Sequence, residues 1–285
     1  MKRLFVAVLV LGLVLGLFAC AGATQEFDME AFFETVRGIN DPQSAADLLL
    51  QGHGLGGYRG TIPDEALLTY EQLLRRMAGE LSLGDNIPRL FRRAGNEFRV
   101  NYAVLLEQLN ANEQLSPRAE AWLGLLADED SDPTIANGAI QINRNHLLMR
   151  MLAWENFEHD YRNFAQALRG MGHFSAEYSQ TLMRLFLLGN ENSPIYNLDG
   201  ALRRDAREAF DAFLHAGHGH QSIYLEVILD AYNIWSANAW QYNENVRGAL
   251  TAISQRNVAA SPPPGFPGLS APGHPFGGIH SGECC

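Results

Sequence analysis

The chain has 285 residues, of which 21 are basic and 32 are acidic, so its formal net charge is −11 at neutral pH. General nucleic-acid binding draws its affinity from phosphate neutralisation, so an acidic chain of this kind argues against that class of partner. Lys2 is the only lysine, which excludes chemistry that needs a lysine base or Schiff base in the folded body.

The N-terminus combines a short basic segment with an apolar one. Lys2 and Arg3 precede the uncharged stretch Leu4 to Phe18. This stretch is shorter than the roughly 20 residues that a membrane-spanning helix needs. It ends in Leu17-Phe18-Ala19-Cys20, and a charged start, a short apolar core and a small residue at the exit are typical of a signal peptide.

These residues resemble the lipobox of bacterial lipoprotein precursors, in which a cysteine becomes lipidated and forms the first residue of the mature protein. The resemblance implies a signal peptide over residues 1–19 and a lipid on Cys20, and several acyl chains on one residue anchor a protein stably to a membrane. Ala21 follows the cysteine in place of an aspartate, which for a Gram-negative host implies the outer membrane, facing the periplasm. Cleavage nearby without lipidation is the alternative.

Helical periodicity dominates the rest of the sequence. We predict an anchor linker with a first short helix over residues 20–40 and an all-helical domain over residues 41–257. In that domain apolar residues recur at three- and four-residue spacing, and polar caps and prolines mark helix starts. The predicted helices cover approximately 42–50, 64–81, 86–109, 116–127, 140–168, 175–188, 198–216 and 222–255. The fold class is therefore predicted to be all-α, as a multi-helix bundle or an irregular helical array.

The composition changes at the C-terminus. Residues 258–285 are rich in proline and glycine, which predicts a disordered tail. The tail carries His274, His280, Cys284 and Cys285, which are ligand types for a soft metal. A vicinal or intermolecular disulfide, or unspecialised thiols, are the alternatives.

A second histidine group lies where a helix is predicted to end. His215, His218 and His220 fall within six residues and would suit zinc or copper. Alternatively, His215 complements the C-terminal end of the helix dipole and the other two are exposed loop residues. No cofactor is predicted, because the Cys-x-x-Cys-His, His-Glu-x-x-His and Gly-x-Ser-x-Gly motifs are absent from the sequence.

One short segment suggests a different class of protein. Residues 137–143, Asn-Gly-Ala-Ile-Gln-Ile-Asn, resemble the Gly-Ile-x-Gln-Ile-Asn strand of lysozyme-like muramidases. The resemblance implies peptidoglycan cleavage by two carboxylates, with Glu120 as general acid and Asp132 as its companion. It covers only seven residues, and the surrounding periodicity predicts a helix in place of the expected hairpin.

Arginines and aromatic residues form two further groups. The arginines would form an anion site for phosphate-bearing glycans or lipid headgroups, or balance neighbouring carboxylates on exposed faces. They are Arg75, Arg76, Arg89, Arg92, Arg93 and Arg99, and in a second group Arg203, Arg204 and Arg207. The aromatics are assigned to core or interface packing of the last predicted helix. They are Tyr224, Tyr232, Trp235, Trp240 and Tyr242.

The sequence thus predicts a lipid-anchored helical envelope protein with a scaffold or partner-binding role, and assigns it no reaction. Its expected partners are the membrane, through the N-terminal lipid, and an envelope protein or glycan. A metal-binding lipoprotein is the first alternative and a peptidoglycan hydrolase is the second.

Overall fold

The structure, a computed structural model, describes residues 27–50, 55, 58, 60–111, 114–215 and 222–255. In this part of the chain eleven helices are accompanied only by three short antiparallel strand pairs, which confirms the all-α, multi-helix fold. The chain divides into two compact units, Met1–Ala119 and Glu120–Cys285. Cys20 and the predicted tail at 258–285 lie outside the described residues.

The first unit is organised around one long helix. Its elements are α1 (Met29–Gly38), α2 (Pro42–Leu50), α3 (Asp64–Glu80), β1 (Phe91–Ala94), β2 (Glu97–Val100) and α4 (Tyr102–Asn110). Helix α3 packs against α1, α2 and β2. The buried face of α3 carries Leu67, Leu74 and Met77, so the apolar core of this unit lies along α3.

Helix α5 (Pro117–Ser131) continues into the second unit, which is organised around α6. The remaining elements are β3 (Ile135–Ala136), β4 (Ala139–Ile140), α6 (Arg144–Asp160), α7 (Arg162–Gly170), α8 (Tyr178–Leu188), β5 (Gly189–Asn190), β6 (Ser193–Pro194), α9 (Arg204–His215), α10 (Leu225–Ala237) and α11 (Glu244–Ser254). Helix α6 packs against α7, α8 and α9, and α11 packs against α8 and α10. Trp154, Phe186 and Phe210 are fully buried in this core.

Polar caps start two of the helices that the sequence predicts correctly. The Asp41 carboxylate accepts a hydrogen bond from the Ser44 N–H at 2.8 Å, immediately before Pro42 opens α2. The Ser116 hydroxyl accepts one from the Ala119 N–H at 3.2 Å at the start of α5. Side-chain acceptors at this position satisfy backbone donors that the first turn leaves unpaired, which is why the cap-and-proline pattern locates these helix starts.

The predicted helix 86–109 is wrong in its first half, which is the hairpin β1–β2. Phe91 lies opposite Val100, and both are buried, whereas Arg92 lies opposite Arg99 on the other face. This is the two-residue alternation of a strand, over a stretch too short to stand out from the helical background. The turn is made at Gly95, whose φ is +67°.

The predicted helix 140–168 is also wrong at its start and in its continuity. Asn137 and Gly138 have φ angles of 51° and 74° and join β3 to β4, as an Asn-Gly pair does in a tight hairpin turn. Helix α6 then begins after Asn143, whose side chain accepts a hydrogen bond from the His146 N–H at 2.9 Å. Tyr161, with φ −119° and ψ 45°, separates α6 from α7 without any proline or glycine to announce the break.

The last two predicted helices need correction as well. Helix α9 begins at Arg204 and not at Leu198, because residues 196–202 form bridges to each other and to Gln241. The helix predicted over 222–255 is two helices, α10 and α11. They are interrupted where Ala239 and Trp240 adopt positive φ angles. No helix in the described ranges combines the length and apolarity needed to cross a bilayer.

Candidate functional site

The break between α10 and α11 holds the backbone in a strained conformation. Ala239 and Trp240 have φ angles of 52° and 61°, in the left-handed region that costs a non-glycine residue roughly 1–2 kcal/mol. The Leu202 N–H donates to the Trp240 carbonyl at 2.8 Å. The Tyr242 N–H donates to the Gly200 carbonyl at 2.7 Å. Strain that neighbouring segments hold in place is concentrated at binding and active sites, which makes this turn a candidate.

The partner of this turn is the loop between β6 and α9. The Asn197 N–H donates to the Ala201 carbonyl at 2.8 Å, and the Asp199 carboxylate accepts from the Ala201 N–H at 3.0 Å. Gly200 has a φ of +81°, which favours glycine there. The loop is therefore fixed by its own hydrogen bonds, and it leaves the side chain of Leu198 fully exposed.

Four aromatic side chains and one arginine meet where the turn and the loop pair, and we call this group the aromatic patch. The rings of Tyr196 and Tyr242 are stacked, with centroids 3.9 Å apart and planes 16° apart. Tyr232 meets Trp240 edge to face at 5.1 Å. The guanidinium carbon of Arg207 lies 4.2 Å from the centroid of the Trp240 ring, in cation–π geometry. All four aromatic residues are only partly buried, so the patch is part of the protein surface.

The composition of the patch is that of a binding surface. Tyrosine, tryptophan and arginine dominate the binding energy of protein interfaces, because each offers a large, rigid contact area together with a polar group. Burial and the neighbouring Tyr196 raise the pKa of the Tyr242 hydroxyl above its ordinary value. The patch thus combines stacked rings, an arginine and a phenol with the exposed Leu198 beside them in sequence.

The second predicted arginine group contributes one member to this patch. Arg203 pairs with Asp205 at 3.1 Å and Arg204 pairs with Glu208 at 2.7 Å, whereas Arg207 stacks on Trp240. The structure thus directs two of the three arginines to carboxylates and the third to an aromatic ring.

Two buried glutamates on α6 form a polar network inside the second unit. Glu155 accepts hydrogen bonds from the Ser222 hydroxyl at 2.7 Å and the Ile223 N–H at 2.6 Å, just before α10 begins. Glu158 accepts from the N–H of Ser179 at 3.1 Å and from its hydroxyl at 2.6 Å, in the first turn of α8. The Ser179 hydroxyl also lies 2.7 Å from that of Tyr224. The two carboxylates therefore tie the starts of α8 and α10 to α6.

Burial changes the acidity of both carboxyl groups. Desolvation raises the pKa of Glu155 from 4.5 to about 7, although the hydrogen bonds from Ser222 and Ile223 oppose this. Desolvation also raises the pKa of Glu158, against the hydrogen bonds from Ser179. Perturbed carboxyl groups occur in catalytic sites and in structural networks alike. Here the hydrogen bonds of both carboxyl groups go to helix starts, so the arrangement serves packing.

A buried serine–histidine contact has a similar explanation. The Ser175 hydroxyl lies 2.6 Å from His173 Nδ1, the spacing of a nucleophile and its base. The Ser175 N–H donates to the same nitrogen at 3.1 Å, and Trp122 Nε1 donates to the hydroxyl at 3.2 Å. Ser175 and His173 are both almost completely buried, so this contact closes the turn before α8.

The structure does not bring together the two carboxylates of the muramidase alternative. Glu120 is exposed in the first turn of α5, and Asp132 follows the last residue of that helix. Twelve residues at 1.5 Å each separate them by about 18 Å, whereas glycosidase carboxyl pairs lie roughly 5–9.5 Å apart. Asp132 instead pairs with Arg150 at 3.4 Å. The hairpin at 135–140, unexpected from the periodicity, does match the strand character of the resembling segment.

The predicted metal ligands are largely beyond the described residues. His215 ends α9, and its Nδ1 lies 2.7 Å from the Asp211 carbonyl, so it interacts with a helix-terminal carbonyl as a C-terminal histidine does. His218, His220, His274, His280, Cys284 and Cys285 are outside the described ranges. Within those ranges no group of three histidine, cysteine or acidic side chains has the arrangement of a metal site.

The aromatic patch is the feature that sequence reasoning missed. The prediction placed Tyr232, Trp240 and Tyr242 on a single helix, where they would point in different directions. Asn238 and Asn243, which end α10 and cap α11, were the available signal for a break between them. Comparison of the chain with protein-family models, with curated proteins and with solved structures finds no match.

Proposed function

We propose that this protein is a lipid-anchored cell-envelope protein that binds a protein partner through the aromatic patch. The observation that carries the proposal is the partly exposed Tyr, Trp and Arg cluster, supported on a strained turn. Residues of these types in a fixed arrangement lose little conformational entropy on binding, which favours tight association. No reaction is part of the proposal.

A protein partner fits the patch better than a glycan does. Leu198, next to the patch in sequence, exposes its entire side chain in a loop fixed by internal hydrogen bonds. An apolar side chain presented in this way gains stability when a partner covers it, at about 25 cal/mol per Å² of apolar surface. A sugar, whose surface is mostly hydroxyl groups, would cover it less favourably.

The location in the envelope is proposed from the sequence alone. The resemblance of Leu17-Phe18-Ala19-Cys20 to a lipobox supports a lipid on Cys20 and an outer-membrane position facing the periplasm. Intact-mass measurement of the protein from its host tests this. The expected mass lacks residues 1–19 and includes diacylglycerol on Cys20, and a mass without lipid would remove the anchor from the proposal.

Site-specific photocrosslinking in the host tests partner binding. The photoreactive residue p-benzoylphenylalanine replaces Leu198 in one variant and Phe174 in the other. Phe174 is the control, since it is an exposed apolar residue before α8 whose ring contacts His173 and Tyr178 and no member of the patch. We expect one defined protein adduct from position 198 and none from position 174. Equal adducts from both positions, a glycan adduct, or none at position 198 would refute the proposal.

A further inference from the structure

A loop and the hairpin that follows it, residues 81–100, differ in charge from the rest of the chain. They contain four arginines and two acidic residues, a net charge of +2 in a chain of net charge −11. The arginines are Arg89, Arg92, Arg93 and Arg99. We call residues 81–100 the docking segment. It lies in the first unit, whereas the aromatic patch lies in the second.

The hairpin of the docking segment directs two arginines to the same face. Phe91, Phe98 and Val100 are buried, and β2 packs against α3. Arg92 and Arg99 are directly opposite each other in the antiparallel register, which places their Cβ atoms roughly 4.5–5.5 Å apart. Arg99 lies 3.5 Å from Glu97, and both side chains are mostly exposed, so its guanidinium group is accessible from water.

The loop of the docking segment exposes two apolar side chains. Leu83 is 62% exposed and Ile87 is 38% exposed, and among the described residues of the first unit these are the exposed large hydrophobic residues. The loop is held in a turn, because the Ser82 N–H donates to the Asp85 carboxylate at 2.7 Å and the Asp85 N–H donates to the Ser82 carbonyl at 3.2 Å. A fixed turn therefore keeps Leu83 in water.

We propose that the docking segment binds the surface of an anionic lipid bilayer. Leu83 and Ile87 enter the region between headgroups and acyl chains, and the arginines contact lipid phosphates. Exposed apolar residues beside basic ones are the combination that interfacial membrane binding requires. A free phosphate would satisfy the arginines and leave the apolar pair in water, so charge and apolarity together favour a bilayer.

Hydrogen exchange of the full chain, read peptide by peptide, tests the docking segment directly. The chain is mixed with vesicles of phosphatidylcholine alone or with added phosphatidylglycerol. Each arginine near an anionic surface contributes about 1 kcal/mol, so Arg92 and Arg99 together favour docking by about 30-fold. Exchange at residues 82–90 should therefore slow by about that factor in the anionic vesicles and change little in the neutral ones.

Two variants and one control identify the residues responsible. Arg92→Gln/Arg99→Gln should lose the lipid-dependent slowing, and Leu83→Ser/Ile87→Ser should reduce it severalfold. Arg37→Gln/Arg118→Gln removes the same charge from the first unit outside the docking segment. This variant should retain the lipid-dependent slowing of exchange. Unchanged exchange in α3 shows that each variant is folded. If the double arginine variant fails this check, the single substitution Arg99→Gln, at a mostly exposed side chain, replaces it.

Three results would overturn the docking proposal. They are equal slowing in neutral and anionic vesicles, no slowing in either, and the same slowing in inorganic phosphate without vesicles. The exchange is read in residues 81–100, so these results do not depend on the partner crosslinked at Leu198. Failure of the docking proposal and failure of the proposed function are therefore distinguishable.

Discussion

Replacing Glu155 by glutamine should change how the stability of this protein depends on pH. The carboxyl group of Glu155 is buried, and it accepts hydrogen bonds from the Ser222 hydroxyl and the Ile223 N–H. Glutamine has the same shape and can accept from the Ile223 N–H while its amide donates to the Ser222 oxygen. The substitution therefore reproduces the protonated carboxyl group and removes only its ability to ionise.

The magnitude follows from the difference in pKa between the folded and unfolded states. The unfolded chain loses this proton near pH 4.5, whereas the folded chain retains it until about pH 7. Between these values the folded state binds more protons, so its contribution to stability is complete below pH 4.5 and is lost as the pH rises to 7. A shift of this size at about 1.4 kcal/mol per unit corresponds to about 3 kcal/mol.

Urea denaturation of the wild type and Glu155→Gln at several values between pH 4 and pH 8 measures this loss. The free energy of unfolding of the variant, relative to that of the wild type, should rise by about 3 kcal/mol from pH 4 to pH 8. Glu191→Gln is the control, because Glu191 is exposed in the β5–β6 turn and the substitution removes the same charge outside the buried network. A difference between Glu155→Gln and the wild type that stays constant with pH would contradict this prediction, because it would show that the folded protein ionises this carboxyl group without penalty.

Three further predictions concern the backbone and the metal alternative. Gly189→Ala should destabilise the protein by at least about 2 kcal/mol. The φ angle of Gly189 is +69°, and a Cβ at this position would lie 2.4 Å from the Ser193 carbonyl oxygen. In contrast, Gly124→Ala, in a helix with open space around it, should stabilise the protein by up to about 1 kcal/mol. Thermal unfolding of both variants compares the two effects. Equal effects would contradict the local geometry. Ala239→Gly should raise the free energy of unfolding by up to about 1 kcal/mol, since glycine relieves the positive φ, and a loss of stability would show that this turn is unstrained. If the histidine loop and the tail form a metal site, equilibrium dialysis should find stoichiometric zinc or copper in the full chain and lose it when the last 15 residues are deleted; no bound metal in the full chain would exclude that site.

The parts of the fold that depend on local signals were predictable. Asp41 with Pro42 locates the start of α2, and Ser116 with Pro117 locates the start of α5, because a cap and its helix are adjacent in sequence. Helix α3, which ends at Glu80, matches the predicted range of 64–81 to within one residue. These signals act over three or four residues and need no tertiary contact.

The short hairpins were not predictable from periodicity, because strands of two to four residues are shorter than the window in which alternation can be recognised. The aromatic patch was missed for a related reason. Its members come from loops and helices far apart in the chain, and Tyr196 meets Tyr242 where two backbone bridges join these segments. Glu155 and Ser222 are 67 residues apart, so the network of buried carboxyl groups was equally invisible.

Crosslinking from Leu198 in the presence and absence of the Trp240 ring tests whether the aromatic patch binds the partner. Trp240→Ala removes the ring that contacts Arg207 and Tyr232, while alanine at position 239 already shows that this turn accepts a small residue. Loss of an interface residue of this kind costs 2 kcal/mol or more, which is about 30-fold in affinity. We predict that the adduct at position 198 falls by at least tenfold in Trp240→Ala, provided that its helical circular dichroism matches the wild type. An unchanged adduct would show that the aromatic patch does not bind the partner.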